Sequence, residues 1–88
     1  MKRPNPAQIV EAVGRRIAEL RVERAWTQED VAQRLNVTVR HMKRIEAGHN
    51  MTIYTAARIA TALDVTVAEL FVPPKSSDRR MPGRPKRT

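Results

Sequence analysis

Residues 27–48 read TQEDVAQRLNVTVRHMKRIEAG. Thr27 with Asp30 three residues on is close to a capping box, in which a hydroxyl and a carboxylate take up N–H groups at the start of a helix. Val31, Ala32 and Leu35 supply the inner face of the short helix that follows. Asn36 stops it, because Asn tolerates the left-handed conformation that a sharp turn needs. Thr38 caps again, and Val39, Met42 and Ile45 mark a second short helix that runs to about Ala47 before Gly48 ends it. The outer face of that helix carries Arg40, Lys43 and Arg44, with His41 beside them. Two short helices joined by a turn of three to four residues, the second with a basic outer face, are the outline of a helix-turn-helix that reads duplex DNA. Ala32 is small where the two helices must approach closely, and Val37 is apolar just after the turn.

Upstream of this stretch, Ile9, Val13, Ile17, Leu20 and Arg24 fall at steps of three or four and predict an amphipathic helix over roughly Pro6 to Arg24, its end softened by Ala25. Arg15, Arg16, Arg24 and Arg34 lie on predicted outer faces, spaced to pair with Glu11, Glu19 and Asp30, so solvation is their expected role. Downstream, Thr52 restarts the pattern, and Ile53, Ala56, Ile59, Ala60 and Leu63 form the inner stripe of a fourth helix that stops at Asp64. Thr66, with Glu69 at capping-box spacing, opens a short fifth helix through Leu70 and Phe71, which Pro73 and Pro74 terminate. No alternating β-branched run competes, so the expected fold is all-α with five helices. Composition divides the chain into a flexible arm (1–6), a proline-free helical body (7–72) and a Pro-, Ser- and Arg-rich tail (73–88) expected to be disordered in isolation.

A chain of 88 residues supports one small domain and no large enzyme core. Its longest apolar run, Leu70 to Val72, is far below the ~20 residues of a membrane span, and no signal-peptide core follows Met1, so a cytoplasmic location is expected. With no cysteine there is no disulfide or thiolate site, and helix packing or a partner subunit must hold the fold. Seventeen Lys and Arg against nine Asp and Glu leave a net charge of +8, the footprint of a nucleic-acid binder. The excess is concentrated in residues 73–88, with six basic residues and one acid, whereas residues 1–72 hold eleven and eight. No nucleophile–base pair, phosphate-cradling glycine loop or carboxylate cluster is present at a useful spacing, so an enzyme is not expected. His41 and His49, without cysteines or nearby carboxylates, do not predict a metal site, and no cofactor is expected.

From about Arg15 to Phe71 the sequence resembles the XRE family of lambda-repressor, Cro and 434-repressor-like helix-turn-helix proteins. Thr27-Gln28-Glu29-Asp30-Val31-Ala32, Arg44-Ile45-Glu46-Ala47-Gly48 and Ile59-Ala60-Thr61-Ala62-Leu63-Asp64-Val65 stand in the family's order, at close to its spacing. Asn36 and Asp64 replace a glycine common in the family, and the Gly48 to Thr52 connection is short. The resemblance implies a sequence-specific transcriptional regulator, a dimeric repressor that binds double-stranded DNA in the bacterial nucleoid. Thr27 and Gln28 would hold a phosphate at the start of the second helix, and Thr38, Val39, Arg40 and Arg44 would reach base edges or adjacent phosphates. Arg40 is the leading base reader, because an Arg fork bonds guanine bidentately, whereas Val39 offers only apolar contact. Lys43, His49, Asn50 and Tyr54 would contact the backbone. Arg21 and Glu46 match a buried ion pair between the first and third helices, and Trp26 matches a core position. Val67, Leu70 and Phe71 would form the dimer interface.

Pro82-Gly83-Arg84-Pro85-Lys86-Arg87 resembles part of an AT-hook, with Pro82 where a basic residue normally precedes the glycine, so Arg84, Lys86 and Arg87 are candidate tail contacts to DNA. Two rival readings keep the same fold. One is an antitoxin, whose essential partner would be a toxin protein, and the other is a weakly specific architectural DNA binder that relies on its tail.

Overall fold

The computed structural model describes residue 3 and residues 5–75, so residues 76–88, with Arg84, Lys86 and Arg87, lie outside the described residues. Five helices follow in order, α1 (Pro6–Glu23), α2 (Gln28–Leu35), α3 (Val39–Glu46), α4 (Ile53–Leu63) and α5 (Val67–Leu70), with no strand among the described residues.

Local chemistry sets both ends of nearly every helix. Thr27, Thr38, Thr52 and Thr66 are all N-caps in extended conformation, each accepting a backbone N–H through its hydroxyl. At α2 the capping box closes both ways, since Asp30 N–H reaches Thr27 Oγ1 at 3.0 Å and Thr27 N–H reaches Asp30 Oδ2 at 2.8 Å. The Thr27 backbone N–H chiefly, with the Thr27 side chain next, holds the Asp30 carboxyl below the usual carboxylate range. Asn5, which the sequence analysis did not single out, closes an equivalent box with Gln8 at the start of α1.

The C-terminal ends of α1 to α4 share one closure. In each, an N–H bonds a carbonyl five residues earlier: Trp26 to Arg21 (3.2 Å), Val37 to Ala32 (2.9 Å), His49 to Arg44 (3.0 Å) and Val65 to Ala60 (2.9 Å). The residue before each donor has positive φ: Ala25 (59°), Asn36 (58°), Gly48 (96°) and Asp64 (62°). Asn36 and Asp64 thus fill the role of the missing glycines, because short polar side chains tolerate this conformation. Ala25 pays the full Cβ penalty. Ala25→Gly is therefore expected to raise stability by roughly 0.5–1 kcal/mol after the glycine's greater unfolded-state entropy is subtracted, read as a rise of about 2–8 °C in thermal midpoint; no rise would mean that the loop relaxes this strain another way.

The core lies between all five helices. Ile17, Val31, Met42, Ile45, Ile59, Leu63 and Leu70 are fully buried, and Trp26, Val37, Val39 and Val65 pack against them. Trp26 also carries the Arg34 guanidinium 4.0 Å from its ring centroid, a cation–π contact. Three sequence expectations change here. Ile53 is 84% exposed rather than inward: at the first position of α4 its side chain leans past the helix start, where no other helix covers it. Leu70, expected at a dimer surface, is fully buried and belongs to the core of the single chain. Arg16, expected in solvent, is buried with its Nη2 2.9 Å from Glu69 Oε1 and its Nη1 3.4 Å from Glu19 Oε1. The hydrogen bond to Glu69, more than any other effect, holds the Arg16 guanidinium more firmly protonated than usual. Glu69 therefore ties α5 to α1, and only the Thr66 half of the expected capping box forms, with Glu69 N–H on Thr66 Oγ1 at 3.3 Å.

Candidate nucleic-acid interface

α3 is amphipathic in the strict sense that one face is core and the other is charge. Met42 and Ile45 are buried, while Arg40, His41, Lys43 and Arg44 are exposed. Among the described residues Arg40, Lys43 and Arg44 form no ion pair, so a row of cationic side chains on one short helix has its donors unspent. Thr38 is exposed at the N-terminus of α3 with its Oγ1 accepting from His41 N–H at 3.0 Å. Val39 is half-buried against the core, which leaves only part of its surface for contact outside.

A polar network holds this helix to the rest. Arg21 grips Glu46 with two bonds, Nε to Oε2 at 2.6 Å and Nη2 to Oε1 at 3.0 Å, and its Nη1 donates to the Trp26 carbonyl at 2.8 Å. Gln28 Nε2 donates to Glu46 Oε1 at 2.9 Å. Glu46 thus joins the end of α1, the start of α2 and the end of α3, which sets the angle at which the basic face is presented. The Gln28 side chain acts first as this bridge, so one of its two amide N–H groups is already committed; the sequence analysis missed this because nothing in the residue spacing brings α2 to Glu46. Asp30 and Thr27 satisfy each other beside it.

His49 and Asn50 come together with His41, Arg44 and Ile45 around one cleft at the C-terminal half of α3. Tyr54 is 74% exposed but stands apart from that cleft, lining a hollow between α2 and α4 with Arg34 and Arg58. Arg58, which the sequence analysis did not single out, donates Nη2–H to the Leu35 carbonyl and so pins α4 to the end of α2. Its signal in the sequence was a cation one residue before the buried Ile59. Val67 and Phe71 are exposed, at 37% and 59%. An apolar groove runs from Ile9 and Val10 past Met51 and Ile53 to Phe71. No group of three or more His, Cys, Asp or Glu able to hold a metal exists among the described residues, and no helix among them is long and apolar enough to cross a membrane.

Residues 17–70 match the helix-turn-helix family model HTH_3, which covers α2 to α5 and part of α1. Comparison with curated protein sequences gives no match. Two solved restriction-modification controller proteins are each 30% identical to the chain: C.AhdI from Aeromonas hydrophila, covering 70% of this chain and 96% of its own with a TM-score of 0.67, and C.Esp1396I, covering 72% and 83% with a TM-score of 0.65. The clp gene regulator ClgR from C. glutamicum, at 24% identity, shares the fold with a TM-score of 0.70 over 80% of this chain and 90% of its own. With the match spanning the whole reading unit and the cationic face in its place, the chain belongs to the HTH_3 helix-turn-helix family of DNA-binding transcriptional regulators.

Proposed function

We propose that the chain binds a two-fold symmetric operator as a homodimer, laying α3 of each copy in successive major grooves, and represses transcription by occluding the promoter. The observation that carries this reading is the exposed row Arg40, Lys43 and Arg44, in no ion pair among the described residues, on a helix whose other face is locked into the core. Arg40 is the base reader, Thr38, Val39 and Arg44 assist at base edges, and Thr27, Gln28, Lys43, His49, Asn50 and Tyr54 position the duplex through phosphates. The two controllers at 30% identity support a role in governing a restriction-modification operon.

Selection from a random duplex pool tests the proposal, the expected outcome being one inverted repeat with half-sites about one helical turn apart. Enrichment of A·T content alone would favour an architectural binder instead. On the selected site, Arg40→Ala should flatten base preference at one position of each half-site and cost roughly 1–3 kcal/mol there, about 5–150-fold, measured by competition binding against single-base variants. An unchanged preference profile would remove Arg40 from that role.

The dimer interface is best placed on the apolar groove, where Ile53 (84% exposed), Phe71 (59%) and Ile9 (39%) bring large apolar side chains together in contact with water. Val67 flanks it. Phe71→Asp is expected to give a monomer in sedimentation equilibrium with its helical signal intact, because Phe71 is exposed and its loss spares the core; an unaltered mass would place the interface elsewhere.

A further inference from the structure

The chain has two histidines, and the fold brings both to the one cleft at the C-terminal half of α3. His41 stands on the exposed side of α3, three residues before Arg44. Gly48, in left-handed conformation with φ 96°, carries His49 past the end of the helix, where its N–H on the Arg44 carbonyl at 3.0 Å fixes its backbone. Arg44 and Asn50 complete the polar lining, beside the buried Ile45. Both rings are exposed, and neither is in an ion pair among the described residues. The charge around them is one-sided. α3 contributes Arg40, Lys43 and Arg44, while its Glu46 is taken by Arg21 and Gln28. From α1, Glu11 brings its Cγ against Gly48, one residue before His49, and Pro6, Ala7 and Val10, which carry no charge, line the neighbouring hollow with His49 and Asn50.

Imidazole is the side chain that ordinarily changes charge between pH 5 and 8. An anion within reach favours its protonated form, in which both ring nitrogens donate hydrogen bonds. Arg40, Lys43 and Arg44 leave this end of α3 short of negative charge, and a duplex backbone supplies it. We propose that operator binding takes up protons at His41 and His49 as a backbone phosphate enters the cleft of each copy, so that affinity rises as pH falls. The inference rests on the dimeric DNA-binding reading above, and it gives His41 a role that reading leaves open. With a ring held protonated to higher pH on DNA than off it, the added affinity is complete below the titration of the free ring and is lost as pH rises through that of the complex. Glu11 is present in the free protein and the complex alike, so the difference between the two states comes from the phosphate.

A rise of about one pKa unit on binding, from an ordinary value near 6.5, strengthens a complex roughly 6-fold per ring between pH 8 and pH 6, so one such ring in each of two copies gives about 40-fold. The full chain is titrated with the selected operator at pH 6, 7 and 8 and constant ionic strength, and binding at least about 10-fold tighter at pH 6 than at pH 8 is expected. With no cysteine in the chain, the α-amino group is the other group that ordinarily titrates in this range, and His41→Gln with His49→Gln tells the two apart. Both side chains are exposed, so the double variant keeps the core, and it should lose more than half of the change on a logarithmic scale. Titration calorimetry in two buffers of unlike ionisation enthalpy counts the same protons directly, about half a proton per ring at pH 7 for the same rise. A wild-type change below 10-fold, a double variant that keeps more than half of it, or no proton uptake would each overturn the proposal. Failure to select any operator, or binding without site preference at every pH, would instead overturn the reading on which it stands.

Discussion

Glu46→Ala is expected to lower unfolding free energy by about 3–5 kcal/mol, the loss typical of removing one partner from a buried ion pair. The Arg21 and Glu46 side chains are only 15% and 7% exposed, so the alanine would leave a guanidinium with no counter-charge and little water. It would also strand the Gln28 amide, whose acceptor is the same carboxylate. Small domains have total stabilities near the low end of about 5–15 kcal/mol, so a large fraction of the variant should be unfolded at 37 °C. Urea denaturation followed by helical signal measures this, with the midpoint moving and the slope unchanged. The double replacement Arg21→Met with Glu46→Leu should recover most of the loss, because apolar pairs of similar volume commonly match a buried ion pair. A loss below about 1 kcal/mol in Glu46→Ala would class the pair with exposed salt bridges and deny it any role in setting the angle of α3.

The second large effect concerns Gly14 and reverses the usual sign. Replacing glycine by alanine inside a helix ordinarily stabilises by about 1 kcal/mol. At Gly14 a Cβ would stand 2.7 Å from the Ile45 carbonyl oxygen and 2.8 Å from that of Glu46. Both are backbone atoms in the last turn of α3, fixed there by the buried Ile45 and by the Arg21–Glu46 bonds, so they cannot rotate aside as a flexible side chain would. α1 and α3 must separate by a few tenths of an ångström or more, and overpacking of this kind outweighs the propensity gain, for a net loss of about 2 kcal/mol in Gly14→Ala. The same shift tilts the cationic face, so operator affinity should fall further than the folded fraction alone accounts for. Thermal unfolding and operator titration on one sample separate the two effects. A more stable Gly14→Ala protein would mean that the α1–α3 contact is looser than these distances.

The two variants together bear on how the reading unit works. α3 is eight residues long and too short to hold itself as a helix. Its orientation is imposed from behind by α1, through the close approach at Gly14 and the clamp at Glu46. Arg40 and Arg44 can recognise bases only because that scaffold holds them within a narrow range of positions.

Much of this was legible in the residues themselves. The four threonine caps, Asn36 and Asp64 in left-handed conformation, and the apolar steps of α1, α2 and α3 are local: each depends on a side chain reaching its own or an adjacent turn, so each can be read from a few neighbouring letters. The cationic face of α3 was legible for the same reason, since residues three and four apart share a face. What lies between elements was not. Ile53 has the spacing of a core residue, yet it sits at a helix start with nothing above it, and Leu70, read as a surface for a partner, closes the core of its own chain. Arg16 and Glu69 have ordinary helical partners in sequence, yet they find each other across 53 residues because α5 folds back on α1. Gln28 carries no mark of its bond to Glu46, and Lys75 carries none of its place on Glu19 and Glu23. The sequence by itself determined which helices form, where they begin and stop, and which face of α3 is charged, because those are short-range matters of hydrogen bonding and periodicity. Only the tertiary structure decided which apolar residues stay outside, which charges are buried in pairs and which carboxylates Lys75 meets, because these follow from which surfaces meet, and chain spacing does not encode that.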